Sequence, residues 1–375
     1  MLKGIHLTLM IGPAKPAPVP RAVLEALTAA EVTTDADGPC GFQLRFTLSN
    51  RSPLQTMFLI GGGVMPSIIR VVLVATVNSR PEVLLDGVMT DHQVTPGENG
   101  RSELVVTGED LTRVMDYQTF TGLPYPAMPS AARVAVILAK YLAFGITPTI
   151  VPAFLSDVES PVSNTPLHQG TDLAYIKQLA SQVGHTFYIE PGPAPLTSRA
   201  YWGPLVKAGA PQPALNINMD THTNCDSLRF QIDNDSRVQP YITVHEPTTK
   251  LPIPVLIPTD LSMLNPPLGT VPLVAKTWKP IEDASKLTVT KALLRGLAAA
   301  SRSNDGVQAE GQLDVARYGR VLKARQLVGV RGAGTAFDGL YFVKKVSHSI
   351  QRGQYKQSFT LTRNALVSHV AKVPA

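Results

Sequence analysis

The sequence predicts a mainly β protein with an inserted helix-containing module, an α+β architecture. Three observations carry this expectation. Strand-like runs recur at short intervals between Gly41 and Thr107 with no long helix among them, helix and strand patterns alternate from Gly108 to Glu190, and strand patterns then return and end in one long hairpin at 337–364. The 375 residues exceed one ordinary core and suggest two or three domains. The expected division is a β domain at 1–107, an α/β domain at 108–212 and a second β domain at 213–375.

Composition narrows the classes. Hydrophobic residues make up 44% and charged residues only 17%, a sparse charged surface that suits a subunit facing other subunits. The net charge of +6 is spread thinly, without the dense basic run of a nucleic-acid binder, so no specific nucleic acid is expected. Cys40 and Cys225 lie far apart, which fits two reduced thiols in a protein made in the cytoplasm. The N-terminal run MLKGIHLTLMIGPAKP reads as a strand or arm rather than an export signal. The apolar stretch 131–144 contains Arg133 and Lys140 and falls short of the ~20 residues of a membrane span, so no integral membrane segment is expected.

In chain order, a proline-rich arm at 13–20 leads to a short helix at 21–30 opened by Pro20. The strand 41–48 places Phe42, Leu44, Phe46 and Leu48 on one face and Gln43, Arg45 and Thr47 on the other. Further strands are expected at 55–60, 68–77, 83–94 and 102–107. Glu109 and Asp110 then start a helix that continues through Met115, since carboxylates favour a helix N-terminus. A second helix at 130–144 is apolar nearly all round, with Arg133 and Lys140 as its polar stripe. A third at 172–183 has Thr171 as N-cap and Gly184 as stop, and the strand 185–190 follows.

Residues 191–213 read as a loop-rich junction, followed by strands at 215–219, 227–233 and 241–245. Prolines exclude a regular helix or central strand at 247–280, which is expected to be an extended arm crossing another surface. A short helix at 289–301 and a strand at 306–315 come next. A strand at 321–330 is expected to point Leu322, Ala324, Val328 and Val330 inward and Lys323 and Arg325 outward.

The terminal hairpin, counted outward from a turn at Arg352-Gly353, sets Ile350 opposite Tyr355, His348 opposite Gln357, Val346 opposite Phe359 and Lys344 opposite Leu361. Gly339, Val346, His348, Ile350, Gly353, Tyr355, Gln357 and Phe359 are its structural residues. Ser347, Ser349, Lys356, Ser358, Thr360 and Thr362 fall on its polar face.

No constellation argues for catalysis, a metal or a cofactor. Gly61-Gly62-Gly63 lacks the Lys-Ser/Thr of a phosphate loop. His222, Cys225 and a distant His245 do not make a metal set. Asp91-His92 has no nucleophile elbow to serve, and the spacing of Glu103, Glu109, Asp110, Asp157 and Glu159 supports no glycosidase pair. His348 is expected to pack and to hydrogen-bond a neighbour such as Gln357.

Three blocks taken together carry a resemblance: VVTGEDLTRVMD (105–116), GTDLAYIKQLASQVGHTFYIEPG (170–192) and the long terminal block GQLDVARYGRVLKARQLVGVRGAGTAFDGLYFVKKVSHSIQRGQYKQSFTLTRN (311–364). They resemble the baseplate hub proteins of contractile tails and injection systems, namely the phage late control D family and the hub portion of type VI secretion VgrG proteins. The resemblance implies two tube-like antiparallel β-barrels per subunit and a homotrimeric pseudo-sixfold ring. Such a ring adapts a hexameric tail tube to a threefold spike, lines the central channel and carries the α/β module outside.

The implied partners are further copies of the chain, the tail tube protein above, a spike below, and baseplate wedge or sheath components. The implied location is a virion tail or injection particle assembled in the bacterial cytoplasm. Because the sequence stops at Ala375, the spike is expected to be a separate protein. The candidate lumen or subunit contacts are Lys323, Arg325, Ser347, Ser349, Lys356, Thr360 and Thr362. A tail-associated peptidoglycan hydrolase and the tail-tip hub of a non-contractile phage are the alternatives.

Overall fold

The computed structural model describes residues 4–13, 15–48, 54, 68–96, 102–153, 165–233, 238–245, 252–256, 266–273, 276–281, 296 and 305–369. The expected strand at 55–60, the Gly61–Gly63 turn, Asp157, Glu159 and the body of the helix at 289–301 lie outside them.

Among the described residues one thirteen-stranded sheet dominates. Its strands in chain order begin with β1 (Ile5–Gly12) and the two-residue β2 (Ala17–Pro18), and α1 (Arg21–Ala26) comes before β3 (Leu27–Asp35). β4 (Gly41–Leu48), β5 (Arg70–Val77), β6 (Arg80–Pro96) and β7 (Ser102–Asp110) complete the N-terminal part. Much later come β13 (Gln212–Asn216), β14 (Cys225–Ile232), β19 (Val307–Asp314), β20 (Leu327–Arg331), β21 (Gly339–Gln351) and β22 (Gln354–Arg363). The main path runs β14-β19-β22-β21-β3-β4-β7-β6-β5-β1-β2. Pairing is antiparallel along that path.

The hairpin is therefore the joint between the early and late strands. One edge of β21 follows β22, while the other pairs first with β20 and then, beyond an irregularity between Val343 and Lys345, with β3. A single core cluster, from Leu9, Phe46 and Leu73 to Tyr341, Tyr355 and Leu361, underlies both sets of strands. Burial of that shared apolar face drives them to fold as one unit.

A second core, built around Met115, Ile137, Tyr175, Leu179 and Trp202, belongs to the α/β module. Its elements are a 3-10 turn at Leu111–Asp116, β8 (Thr119–Pro124), α2 (Ser130–Ala139), β9 (Ile146–Ile150), β10 (Leu167–Thr171), α3 (Asp172–Val183), β11 (Thr186–Pro191) and β12 (Ser198–Gly203). The bounds of α3 are those expected: Thr171 accepts from the Ala174 N–H, and Gly184 closes the helix with φ of 74°. Asp110 likewise caps the 3-10 turn through the Thr112 N–H.

Several expectations are corrected. Residues 27–30 extend β3 rather than the first helix, because β4 and β21 flank them and satisfy their backbone. The junction at 191–213 holds β12 and the start of β13. The second helix stops at Ala139, and Arg133 turns inward, donating to the carbonyl of Met128 (3.0 Å) and the hydroxyl of Tyr175 (3.2 Å). Lys140 reaches the buried carboxylate of Asp172 (2.8 Å). The polar stripe is thus a helix–helix contact.

The proline-rich stretch also contains short strands, β16 (Pro252–Leu256), β17 (Gly269–Pro272) and β18 (Thr277–Pro280). β16 and β18 flank β15 (Val238–His245), and β17 pairs with β23 (Ala365–Ser368). Proline is tolerated in such edge positions because one side of the strand needs no N–H. Residues 321–326 are not strand, and Arg325 has φ of 64°.

Gly108 lies inside β7, so Glu109 and Asp110, expected to open a helix, are strand residues, and the 3-10 turn begins only at Leu111. Gly108 lies on the core face opposite Phe42, and an added Cβ would stand 2.3 Å from the Val88 carbonyl and 2.4 Å from the Phe42 ring. We expect Gly108→Ala to destabilise the fold by roughly 1–3 kcal/mol through overpacking. Urea unfolding beside the parent protein measures it, and an unchanged midpoint refutes the packing argument.

Candidate functional site

Period-two alternation along eight neighbouring strands, β14 to β6, leaves one face of the sheet polar. The cross-strand registers align it into rows. One row reads Ser227, Gln312, Ser358, Ser347 and Thr33 across β14, β19, β22, β21 and β3. Another reads Lys356, Ser349, Glu31, Gln43, Thr107 and Asp91 across β22, β21, β3, β4, β7 and β6. The hydroxyls of Thr33 and Ser347 lie 3.0 Å apart across the joint, and Lys356 pairs with Asp226 (3.1 Å). The result is a continuous hydrophilic wall backed by the shared core.

Ser347, Ser349, Lys356 and Thr360 are half-buried on this wall, and Ser358 is exposed. Thr362 is buried and is removed from the candidate contacts. Lys344 is not opposite Leu361. The register irregularity gives that place to Val343, and Lys344 turns toward Asp37 (3.5 Å).

Lys323 and Arg325 do not point outward from a strand. Lys323 pairs with Glu82 (2.5 Å). Arg325 reaches the Asp35 carbonyl and the Cys40 sulfur, and its guanidinium lies 4.2 Å from the centre of the Tyr188 ring. It ties the large sheet to β11 of the α/β module. A second tie missed by sequence reasoning is buried. Arg70 Nε and Nη2 donate to the two Asp86 oxygens (2.6 Å each), and Ser198 Oγ donates to Asp86 (2.9 Å).

Behind the wall, the Tyr355 hydroxyl donates to Nδ1 of His348 (2.7 Å), which also accepts from the Gln357 amide nitrogen (3.4 Å). The Gln357 amide then closes on the backbone of Leu322, donating to its carbonyl (2.8 Å) and accepting from its N–H (3.0 Å). Burial pushes the His348 pKa down to about 4 and raises that of Tyr355. Both are neutral packing groups at pH 7. The turn residue Gly353 has φ of 81°, as a glycine turn position allows.

Elsewhere, Cys40 and Cys225 are free thiols, and burial raises Cys225 to about 12, far from a reactive thiolate. Asp91 and His92 stand on β6, where the Asp91 carboxylate accepts from the His92 N–H (2.8 Å). Among the described residues no group of three or more His, Cys, Asp or Glu is arranged to hold a metal ion. No described helix is long and apolar enough to cross a membrane.

No protein-family model matches the sequence, and no curated protein is detectably similar to it. Solved structures do match. The tail protein from Neisseria meningitidis MC58 superposes with a TM-score of 0.62 at 13% identity, covering 96% of this chain and 97% of that one. The 43 kDa tail protein of prophage MuSo2 from Shewanella oneidensis gives 0.60 at 14% identity, covering 96% and 99%. A component of the Escherichia coli type VI secretion system, described as similar to bacteriophage T4 tail proteins gp27 and gp5, gives 0.54 at 12% identity, covering 93% and 76%. The mainly antiparallel, few-helix architecture of this chain is the fold of these phage tail and type VI secretion proteins.

Proposed function

We propose that the chain is a structural baseplate hub of a contractile phage tail or a related injection system, acting as a homotrimer. The single observation that carries this reading is the polar wall, continuous across early and late strands and backed by one core. A wall of this kind suits a water-filled channel. Its early strands, within 27–110, and its late strands, within 213–375, form two segments per subunit, so three subunits supply six. That count matches a hexameric tail tube on one side and a threefold spike on the other.

The module at 111–203 sits outside the wall, held by Arg325 and by the Arg70–Asp86–Ser198 contact. Ser347, Ser349, Lys356 and Thr360 face the channel. Further copies of the chain, the tube, the spike and wedge or sheath components are the partners, in a virion tail or injection particle. The fold likeness to tail proteins supports this reading.

Negative-stain microscopy of the purified chain tests it. A threefold ring with an axial hole is expected, and a compact monomer at high protein concentration refutes the hub. A zymogram on peptidoglycan addresses the hydrolase alternative, and no clearing is expected.

A further inference from the structure

Two hollows, of about 230 and 340 Å³, adjoin at the Glu82–Lys323 ion pair, and no residue of the polar wall lines either. Distant parts of the chain build the smaller one. Asn78 and Ser79, with φ of 49° and 63°, make the tight turn between β5 and β6, and Asn78 Nδ2 donates to the Gly319 carbonyl (3.0 Å). That contact sets two arginines, Arg80 and Arg320, on one hollow although 240 residues separate them. Both are exposed, and among the described residues neither has a hydrogen bond or an ion pair. Like charges placed together repel, and an anion between them reverses the sign of the interaction.

The excess of positive charge continues into the larger hollow. Along the two together, five cations face two carboxylates. Glu82 is taken by Lys323 (2.5 Å) and Glu190 by Arg199 (2.7 Å), which leaves Arg80, Arg320 and Arg325 without an ion pair. Two buried donors add to this. The Nε–H of Arg325 has no acceptor. His348, 5% exposed, accepts at Nδ1 from Tyr355 and Gln357, so its proton sits on Nε2, which has no partner among the described residues. Both residues line the larger hollow. Buried donors without acceptors are costly, and a pair of them on one hollow points to a ligand that accepts hydrogen bonds.

Size and lining select the ligand class. Guanidinium forks match carboxylates and phosphates. Two adjoining hollows exceed the needs of a lone ion, and Pro191, Pro193, Pro211 and Pro213 give them apolar walls that suit the methylenes of a polypeptide. No aromatic ring other than the His348 imidazole lines either hollow, so nucleic-acid bases find no stacking platform. We propose that this cleft binds an acidic peptide segment of a partner protein, with one carboxylate between Arg80 and Arg320 and another reaching toward Arg325 and His348.

Fluorescence anisotropy with the full chain tests the cleft. A fluorescein-labelled alternating Glu-Ala peptide is expected to bind, and its Gln-Ala counterpart is not. Arg80→Ala and Arg320→Ala should each weaken binding about tenfold through the loss of charge-assisted hydrogen bonds. Both should unfold at the parent's urea midpoint, since neither side chain has a partner in the fold. Arg45→Ala, exposed on the polar wall, should leave the affinity unchanged. No binding of the Glu-Ala peptide, equal binding of the Gln-Ala peptide, or unchanged affinity in both cleft variants would overturn the proposal. Tighter binding of a single-stranded oligonucleotide of equal charge, lost in the same variants, would assign the cleft to nucleic acid instead. Inorganic phosphate that binds the cleft as tightly as the peptide does would make a lone oxyanion the ligand and overturn the proposal too.

Discussion

Asp86→Ala is expected to lower stability by about 3–5 kcal/mol, the range for removing one partner of a buried ion pair. The side chains of Arg70 and Asp86 are only 2% and 1% exposed, so the guanidinium cannot turn to water once its carboxylate is gone. Most of the loss is the desolvation of a charge that no longer has its counter-charge, and it exceeds the net worth of the pair itself. Ser198→Ala removes only a hydroxyl from the same carboxylate and should cost about 1–3 kcal/mol. Ser198 opens β12, so both variants should loosen the α/β module from the large sheet as well as weaken the sheet. The Arg21–Glu25 pair is the internal control, with side chains 90% and 63% exposed. Arg21→Ala should shift the urea midpoint very little, because water and salt screen such a pair. If Asp86→Ala unfolds at the same urea concentration as Arg21→Ala, the junction is not what holds the two cores together.

That junction was invisible in the sequence, and the reason is general to this chain. Local order was legible wherever neighbouring residues decide it. Thr171 and Gly184 bracket α3, and counting out from Gly353 places His348 against Gln357 and Val346 against Phe359. The count fails at Lys344, where two adjacent lysines hide the extra residue of the irregularity. The helix expected to reach residue 30 stops at Ala26 because LTAAE, though built from helix-forming residues, lies between two strands whose backbones need partners. Propensity lost there to pairing with a strand more than 300 residues away.

The polar wall shows the same division. Each strand announces its own hydrophilic side, yet only the register of β21 with β3 reveals that the sides form one surface. Arg325 was misread because alternation was carried through a residue whose positive φ breaks it.

The register that was legible makes a second strong expectation. Burial holds the folded-state pKa of His348 at about 4, whereas the ordinary value of about 6.5 applies in the unfolded chain. Between those values the unfolded state takes up a proton that the folded state refuses. Stability contributed by the neutral imidazole is therefore present above pH 6.5 and is lost as pH falls toward 4, where the dependence levels off. The gap corresponds to about 3 kcal/mol, most of it gone by pH 4.5. Carboxylates and His168, whose pKa burial also lowers, titrate over part of the same range, so the acid sensitivity of the parent protein alone assigns nothing.

His348→Gln isolates the effect, since it leaves a polar side chain beside Tyr355 and Gln357 but removes the titrating group. At pH 7 the variant should be less stable, having exchanged a fitted ring for a flexible amide. By pH 4.5 the difference should shrink by about 2 kcal/mol or change sign, because only the parent still has an imidazole to protonate. Urea unfolding of both proteins at the two pH values gives the result directly. A stability difference that stays constant from pH 7 to pH 4.5 would show that His348 is protonated as easily in the fold as in water, and the buried network behind the wall would have to be redrawn.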